Sequence, residues 1–224
     1  MKEKLEELVF ILDKSGSMSG KEEDTIGSFN STIKEHVDKD YDVLVTTVLF
    51  SDNQDIIHDR IDIKEVGQLS AKQYKTNGCT ALIDAMGDTI SHVKDIQKHQ
   101  RRSEDIPEHT LFVIVTDGLE NASHKYSSDD VKRMVEQQKE SGWEFLFLGA
   151  NIDAVETAKQ FSIDESRAVN FVNDSIGIKK AHKFACDMSA ELFMIDKNET
   201  VSKDKIKAFR RSVDEDYMKR KKSK

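Results

Sequence analysis

Apolar residues fall along this chain in two rhythms. Leu8-Val9-Phe10-Ile11-Leu12, the stretch Asp42–Phe50 with its core VLVTTVLF, and TLFVIVT at Thr110–Thr116 are almost unbroken apolar runs, and Glu144–Leu148 is a shorter one. Continuous runs rich in β-branched and aromatic residues predict strands buried on both faces, as in a parallel sheet. Ile56–Ile63 instead alternates apolar and polar. That period predicts a half-exposed edge strand, antiparallel to its neighbour across the turn Ser51-Asp52-Asn53. Arg167–Phe171 predicts a weaker last strand.

Between these runs the apolar positions recur at helical spacing. Ile26, Phe29, Ile33 and Val37 mark a helix over Lys21–Val37, with Ser19 as its cap. Leu82, Ile83, Met86, Ile90 and Val93 mark a second, from Thr80 to about His99. A third starts near Ser127 or Ser128 and closes at Gly142, Asp153–Phe161 is a short fourth, and a fifth begins at Asn173-Asp174 and carries Ile178, Phe184, Met188, Leu192 and Ile195. Strands and helices thus alternate, which predicts an α/β fold with a mostly parallel, doubly wound sheet and the first strand at its centre. Gln68–Cys79 and Gln97–Glu108 read as loops. Beyond Val201 the chain is charged, and Ile206, Phe209 and Val213 support only a turn or two of amphipathic helix before a basic, frayed end at Met218–Lys224.

The 224 residues are within reach of one α/β domain. A net charge of −8 gives no global pull toward nucleic acid. Cys79 and Cys186 lie far apart with no CxxC or zinc spacing, so no disulfide framework is expected, and Cys79 reads as a half-buried packing thiol. Met1–Glu7 is charged and runs straight into a strand, and no apolar stretch is long enough to cross a bilayer; the expectation is a cytoplasmic protein without a membrane partner. The seven histidines are scattered without ligand spacing and read as surface residues, Trp143 as a packing anchor, and Lys14 as solvent-facing.

The chemistry gathers where the first strand ends. Asp13, Ser15 and Ser17 follow that apolar run, and ligands in open α/β sheets bind beyond the carboxyl ends of the strands. Asp117 ends the similar strand TLFVIVT, and Thr80 opens a helix between them after Asn77-Gly78. All five carry hard oxygen atoms, which suit Mg²⁺, Mn²⁺ or Ca²⁺. Thr80 can also serve as a helix cap, and Asp52 and Glu120 fall on the rim. Other chemistries fit less well. Gly16-Ser17-Met18-Ser19-Gly20-Lys21 is one residue too short for a phosphate loop, and Glu22 stands where Ser or Thr is needed. Ser15 replaces the second acid of a haloacid-type phosphatase, and no Gly-x-Ser-x-Gly elbow is present.

Asp13-x-Ser15-x-Ser17, Thr80 within Gly78-Cys79-Thr80-Ala81-Leu82, and Thr116-Asp117-Gly118 resemble the metal-ion-dependent adhesion site of von Willebrand factor A domains. The resemblance spans Glu7 to about Ile195. Leu146–Asn151 and the loop Glu120-Asn121 look like those of bacterial and phage-type cytosolic members. The resemblance implies a six-stranded Rossmann-like sheet in the order 3-2-1-4-5-6, with the domain over residues 1–198 and a charged extension, short helix or disordered, over 199–224. It implies that Ser15 and Ser17 bind a divalent metal directly, that Thr80 does so when a ligand is engaged, and that Asp13 and Asp117 act mainly through water. The function implied is non-enzymatic: the metal recruits a Glu or Asp of a protein partner. The alternative is a metal-dependent hydrolase or phosphotransferase in the same crevice. The sequence leaves the oligomeric state open.

Overall fold

The structure, a computed structural model, describes residues 4–37, 39, 41–197 and 199–221. Six strands form one sheet: β1 (Leu5–Asp13), β2 (Asp42–Phe50), β3 (Gln54–Asp62), β4 (Thr110–Thr116), β5 (Trp143–Ala150) and β6 (Ala168–Phe171). Their order is β3-β2-β1-β4-β5-β6. All pairs are parallel except β2 with β3, so the one antiparallel strand lies at the edge, as the alternating pattern predicts. The helices are α1 (Glu22–Val37), α2 (Leu82–Lys98), α3 (Ser128–Glu140), α4 (Ala154–Gln160), α5 (Ser175–Leu192) and α6 (Lys203–Lys221).

β1 shows why the unbroken runs form central strands. Leu8, Phe10 and Leu12 face a core shared with α1, α5 and α6, while Val9 and Ile11 face a second core shared with α2, α3 and α4. β4 divides the same way, Leu111, Val113 and Val115 against Phe112 and Ile114. The middle of a strand with helices on both faces has no polar side, so Leu8–Leu12 and Leu111–Val115 are apolar throughout, and polar residues enter only at the strand ends. Each fully buried Leu, Ile or Phe contributes about 1.5–3 kcal/mol, so the β1 and β4 runs anchor the fold. Trp143 stacks on Phe112 at 5.1 Å as a packing residue.

Several details differ from the sequence expectations. Four of the seven histidines are buried: His36, His58, His109 and His182. Each is absorbed by a partner remote in sequence or by apolar packing. His36 bonds Tyr41 and Ser189, His58 bonds Thr47 and lies over Phe29, and His109 meets Glu6, while His182 is enclosed with no partner among the described residues for either ring nitrogen. Cys79 is exposed rather than half-buried, while Cys186 is buried. Lys14 turns back over the sheet end to pair with Asp55 at 3.0 Å. Ser19 lies in a turn ahead of α1, and Lys21 accepts the first helical bond, from Thr25 N.

The charged carboxyl-terminal stretch forms a 19-residue helix, α6, in place of a turn or two. Its apolar stripe is thin, with Ile206 and Val213 buried and Phe209 packed beside them. Ion pairs one turn apart extend it, Arg210 with Asp214 and Arg211 with Glu215, and Lys180 of α5 reaches Asp216 at 3.0 Å. The predicted fraying at 218–224 is not found as far as Lys221; residues 222–224 lie outside the described residues. Among the described residues no helix is long and apolar enough to cross a membrane.

Candidate metal centre

Register brings the carboxylates together. Leu12 of β1 pairs with Val115 of β4, so Asp13 ends beside Thr116, and Asp117 follows one residue on. The Thr116 hydroxyl donates to Asp13 Oδ2 at 2.7 Å, and Ser15 N donates to Asp13 Oδ1 at 2.7 Å. Ser15 Oγ and Ser17 Oγ are 3.0 Å apart, and Ser17 Oγ donates to Asp117 Oδ1. The Asp13-x-Ser15-x-Ser17 segment turns through a short 3₁₀ helix, Gly16–Met18, so that its alternate side chains share one side of the crevice.

The third segment is held from below. Gly16 N donates to Gly78 O at 3.0 Å, Asn77 N donates to Lys14 O, and the buried Tyr74 hydroxyl donates to Asp13 O. Gly78 has φ +75°, and a Cβ there would strike the Asp52 carboxylate, so this turn needs glycine. Asp52, expected on the rim, is thus built into the loop, and its Oδ1 also accepts from Cys79 N at 2.7 Å. Thr80 does not cap α2. Glu120 accepts from Ile83 N and the Ser123 hydroxyl accepts from Asp84 N, which leaves the Thr80 side chain for the crevice. Asn121 clamps the Thr80 backbone, its Oδ1 accepting from Thr80 N and its own N donating to Thr80 O.

Gly118 shows how closely the segments approach. A Cβ added there would lie 3.0 Å from Thr80 Oγ1 and 3.3 Å from Ser17 Oγ. The fold therefore brings Asp13, Ser15, Ser17, Thr80 and Asp117 to one place. Sequence reasoning missed a sixth residue, Asn173, whose Nδ2 donates to Asp117 Oδ2 at 2.5 Å. The signal available was its position, two residues past the carboxyl end of β6, where the same topological rule applies.

Burial pushes the Asp13 carboxyl above the ordinary range, against the hydrogen bonds from Ser15 and Thr116, and the Asp117 charge pushes the same way. Burial likewise raises Asp117, against the bonds from Ser17 and Asn173 and the positive charge of Lys21. Among the described residues no ion pair reaches either carboxylate. The donor set is hard oxygen throughout, three hydroxyls and two carboxylates, and fits Mg²⁺ or Mn²⁺. It is poor in carboxylate and imidazole, and among the described residues no three of His, Cys, Asp and Glu gather as a metal cluster.

Comparison with known proteins decides the family. The model of the von Willebrand factor type A domain matches residues 7–183. The chain belongs to that family. Solved structures share its fold at low identity. The vWF domain of the type V pili tip protein Mfa5 from Porphyromonas gingivalis is 10% identical, with a TM-score of 0.61 over 90% of this chain and 99% of that one. A von Willebrand factor type A protein from Catenulispora acidiphila is 15% identical, with a TM-score of 0.58 over 85% of this chain and 43% of that one. Proximal thread matrix protein 1 from the mussel byssus, solved with a zinc-occupied MIDAS motif, is 13% identical, with a TM-score of 0.54 over 82% of this chain and 46% of that one. The chain thus spans less than half the length of the Catenulispora and mussel proteins. No curated protein matches it. Domains of this family commonly serve as protein-interaction modules.

Proposed function

We propose that this von Willebrand factor type A domain is a non-enzymatic, metal-dependent protein-binding module. In this reading Ser15, Ser17 and Thr80 supply neutral oxygens to a divalent cation, Mg²⁺ or Mn²⁺ by donor hardness, with Asp13 and Asp117 acting mainly through water. Neutral ligands leave most of the 2+ charge uncancelled, and the ion then attracts a Glu or Asp from a partner protein. The observation that carries this reading is the convergence of three hydroxyls on two buried carboxylates that, among the described residues, have hydrogen bonds but no ion-pair partner.

The rim favours a partner that presents its acid beside apolar groups. Leu119, two residues past Asp117, is 69% exposed, and Ile176, three past Asn173, is 56% exposed. Leu119 lies on the loop after Asp117 and Ile176 in the first turn of α5, and in this reading both flank the incoming acid. The domain in this reading spans residues 1–198, and residues 199–224 are an extension made largely of α6.

The test is a titration of the peptide Ac-Gly-Glu-Gly-NH₂ onto Mn²⁺-loaded protein. Binding should vanish with chelator, with the Gln peptide, and in the double variant Ser15→Ala, Ser17→Ala. Equal binding of the Glu and Gln peptides would refute the recruitment of an acid. Turnover of a phosphate ester that is lost in Asp13→Ala would favour the hydrolase alternative.

A further inference from the structure

Asn173 stands on a fourth loop, outside the three segments that carry the hydroxyls and carboxylates. It precedes Asp174, whose side chain caps α5 by accepting from Ile176 N and Gly177 N, and Arg220 of α6 pairs with that same carboxylate. The loop is therefore anchored at both ends, to β6 and to two helices. Asn173 Nδ2 donates to Asp117 Oδ2 at 2.5 Å, while Ser17 Oγ donates to Asp117 Oδ1. Both oxygens of Asp117 are thus held by neutral donors. The remaining polar atom, Asn173 Oδ1, is buried and has no hydrogen-bond partner among the described residues. A buried acceptor without a partner is costly, and such an atom beside a polar crevice marks a place for a donor from outside the chain.

We propose that Asn173 is a positioning residue that keeps Asp117 out of the metal's inner shell. The amide N–H restrains Oδ2, so Asp117 acts on the ion through water rather than by direct contact. The free Oδ1 is the acceptor for one of those waters. The ion then keeps its charge and an exchangeable position for a partner carboxylate. This inference rests on the metal-site reading above and deepens it, because it assigns the selectivity for an outside acid to one amide.

Two observables, Mn²⁺ affinity and anion binding, separate a positioning role for Asn173 from a merely structural one. Without the amide, Asp117 is free to coordinate directly. A direct carboxylate holds the cation at least as well but leaves it less attractive to another anion. A residue that merely shaped the loop would weaken both together.

The experiment uses the full chain with Mn²⁺ as the metal and acetate as the anion probe. Mn²⁺ affinity comes from paramagnetic resonance titration, and the number of exchangeable waters from line broadening in ¹⁷O-water. For Asn173→Ala we expect undiminished Mn²⁺ affinity, one fewer bound water, and acetate binding weaker by about tenfold, the scale of changes around metal ligands. Asn173→Asp, which presents no N–H and adds a second charge, should tighten Mn²⁺ and weaken acetate further. Unchanged water count and acetate affinity in both variants, or a joint loss of Mn²⁺ and acetate, would overturn the proposal. Failure of the wild-type chain to bind Mn²⁺ would show itself separately, before any variant is compared, and would remove the reading on which this inference stands.

Discussion

The two ends of β1 both bury carboxylates, and they treat them differently. At the amino end, Glu6 and Glu7 are completely enclosed. Glu7 has a cation, since Arg60 Nη1 donates to both its oxygens at 2.8 and 2.7 Å, and Gln97 adds a third bond. Glu6 accepts from His109 N and lies 3.0 Å from His109 Nδ1. At the carboxyl end, among the described residues, Asp13 and Asp117 receive only hydroxyl, amide and backbone donors. Burial pushes all four carboxyls above their ordinary range, so proton affinity alone does not separate the two ends. The compensating group does. Glu7 carries an ion-pair partner within the fold that fixes β1 to β3; Asp13 and Asp117 have none among the described residues, and under the proposed function a divalent cation supplies it.

The comparison is broken most sharply at Arg60. Arg60→Ala would leave the Glu7 charge buried and unpaired, and denaturant unfolding should show a loss of about 3–5 kcal/mol. A loss below about 1 kcal/mol, the scale of exposed pairs, would mean that Glu7 is not the enclosed, paired acid described here. At the other end the order reverses. Asp13→Ala removes an uncompensated charge and should not destabilise the metal-free chain in this way, but should abolish stabilisation by Mg²⁺ or Mn²⁺. That stabilisation is about 2.7 kcal/mol at a hundredfold excess over Kd, read as a shift in Tm with and without metal.

Acid sharpens the comparison next. Burial holds His36 and His182 down at about 4. Their folded values lie below the unfolded value of about 6.5, so the unfolded chain binds more protons between those limits. Stability is present above pH 6.5 and falls as pH drops toward 4, by about 1.4 kcal/mol per pH unit for each such group. The raised carboxyls act oppositely: they favour the folded chain at low pH and lose that contribution as pH rises through their folded values. His182→Leu removes a ring with no partner on either nitrogen, so it should reduce the acid slope without touching metal binding. An unchanged slope in urea unfolding at pH 6.5 and 5 would count against the neutral buried imidazole.

Gly118→Ala should have the smallest effect. Its Cβ would crowd Thr80 Oγ1 and Ser17 Oγ, and should weaken Mn²⁺ by about tenfold while the fold stays intact.

Much of this architecture is legible in the linear pattern because β1 and β4 bury both faces, and a strand of that kind cannot hide its apolar run. The edge position of β3 is legible for the converse reason, since its polar alternation records a face left outside. Five crevice positions can also be read, because short Asp, Ser and Thr motifs at strand and helix ends mark where chain reversals put oxygen atoms. What stayed hidden depends on partners distant in sequence. His36 meets Ser189 and His109 meets Glu6, and no local pattern distinguishes such histidines from exposed ones. α6 has too thin an apolar stripe to announce its length, which its ion pairs and its contacts with α5 support. Asn173 reads as an ordinary helix start, and its role at the crevice depends on the pairing of β6 with β5.

The most direct test of the central claim is a Mn²⁺ titration of the purified chain followed by paramagnetic resonance. One Mn²⁺ should bind per chain in the wild type, be lost in Asp13→Ala and stay unchanged in Arg60→Lys, which alters only the ion pair at the opposite end of β1. No bound Mn²⁺ in the wild type, or a site that persists undiminished in Asp13→Ala, would contradict that claim.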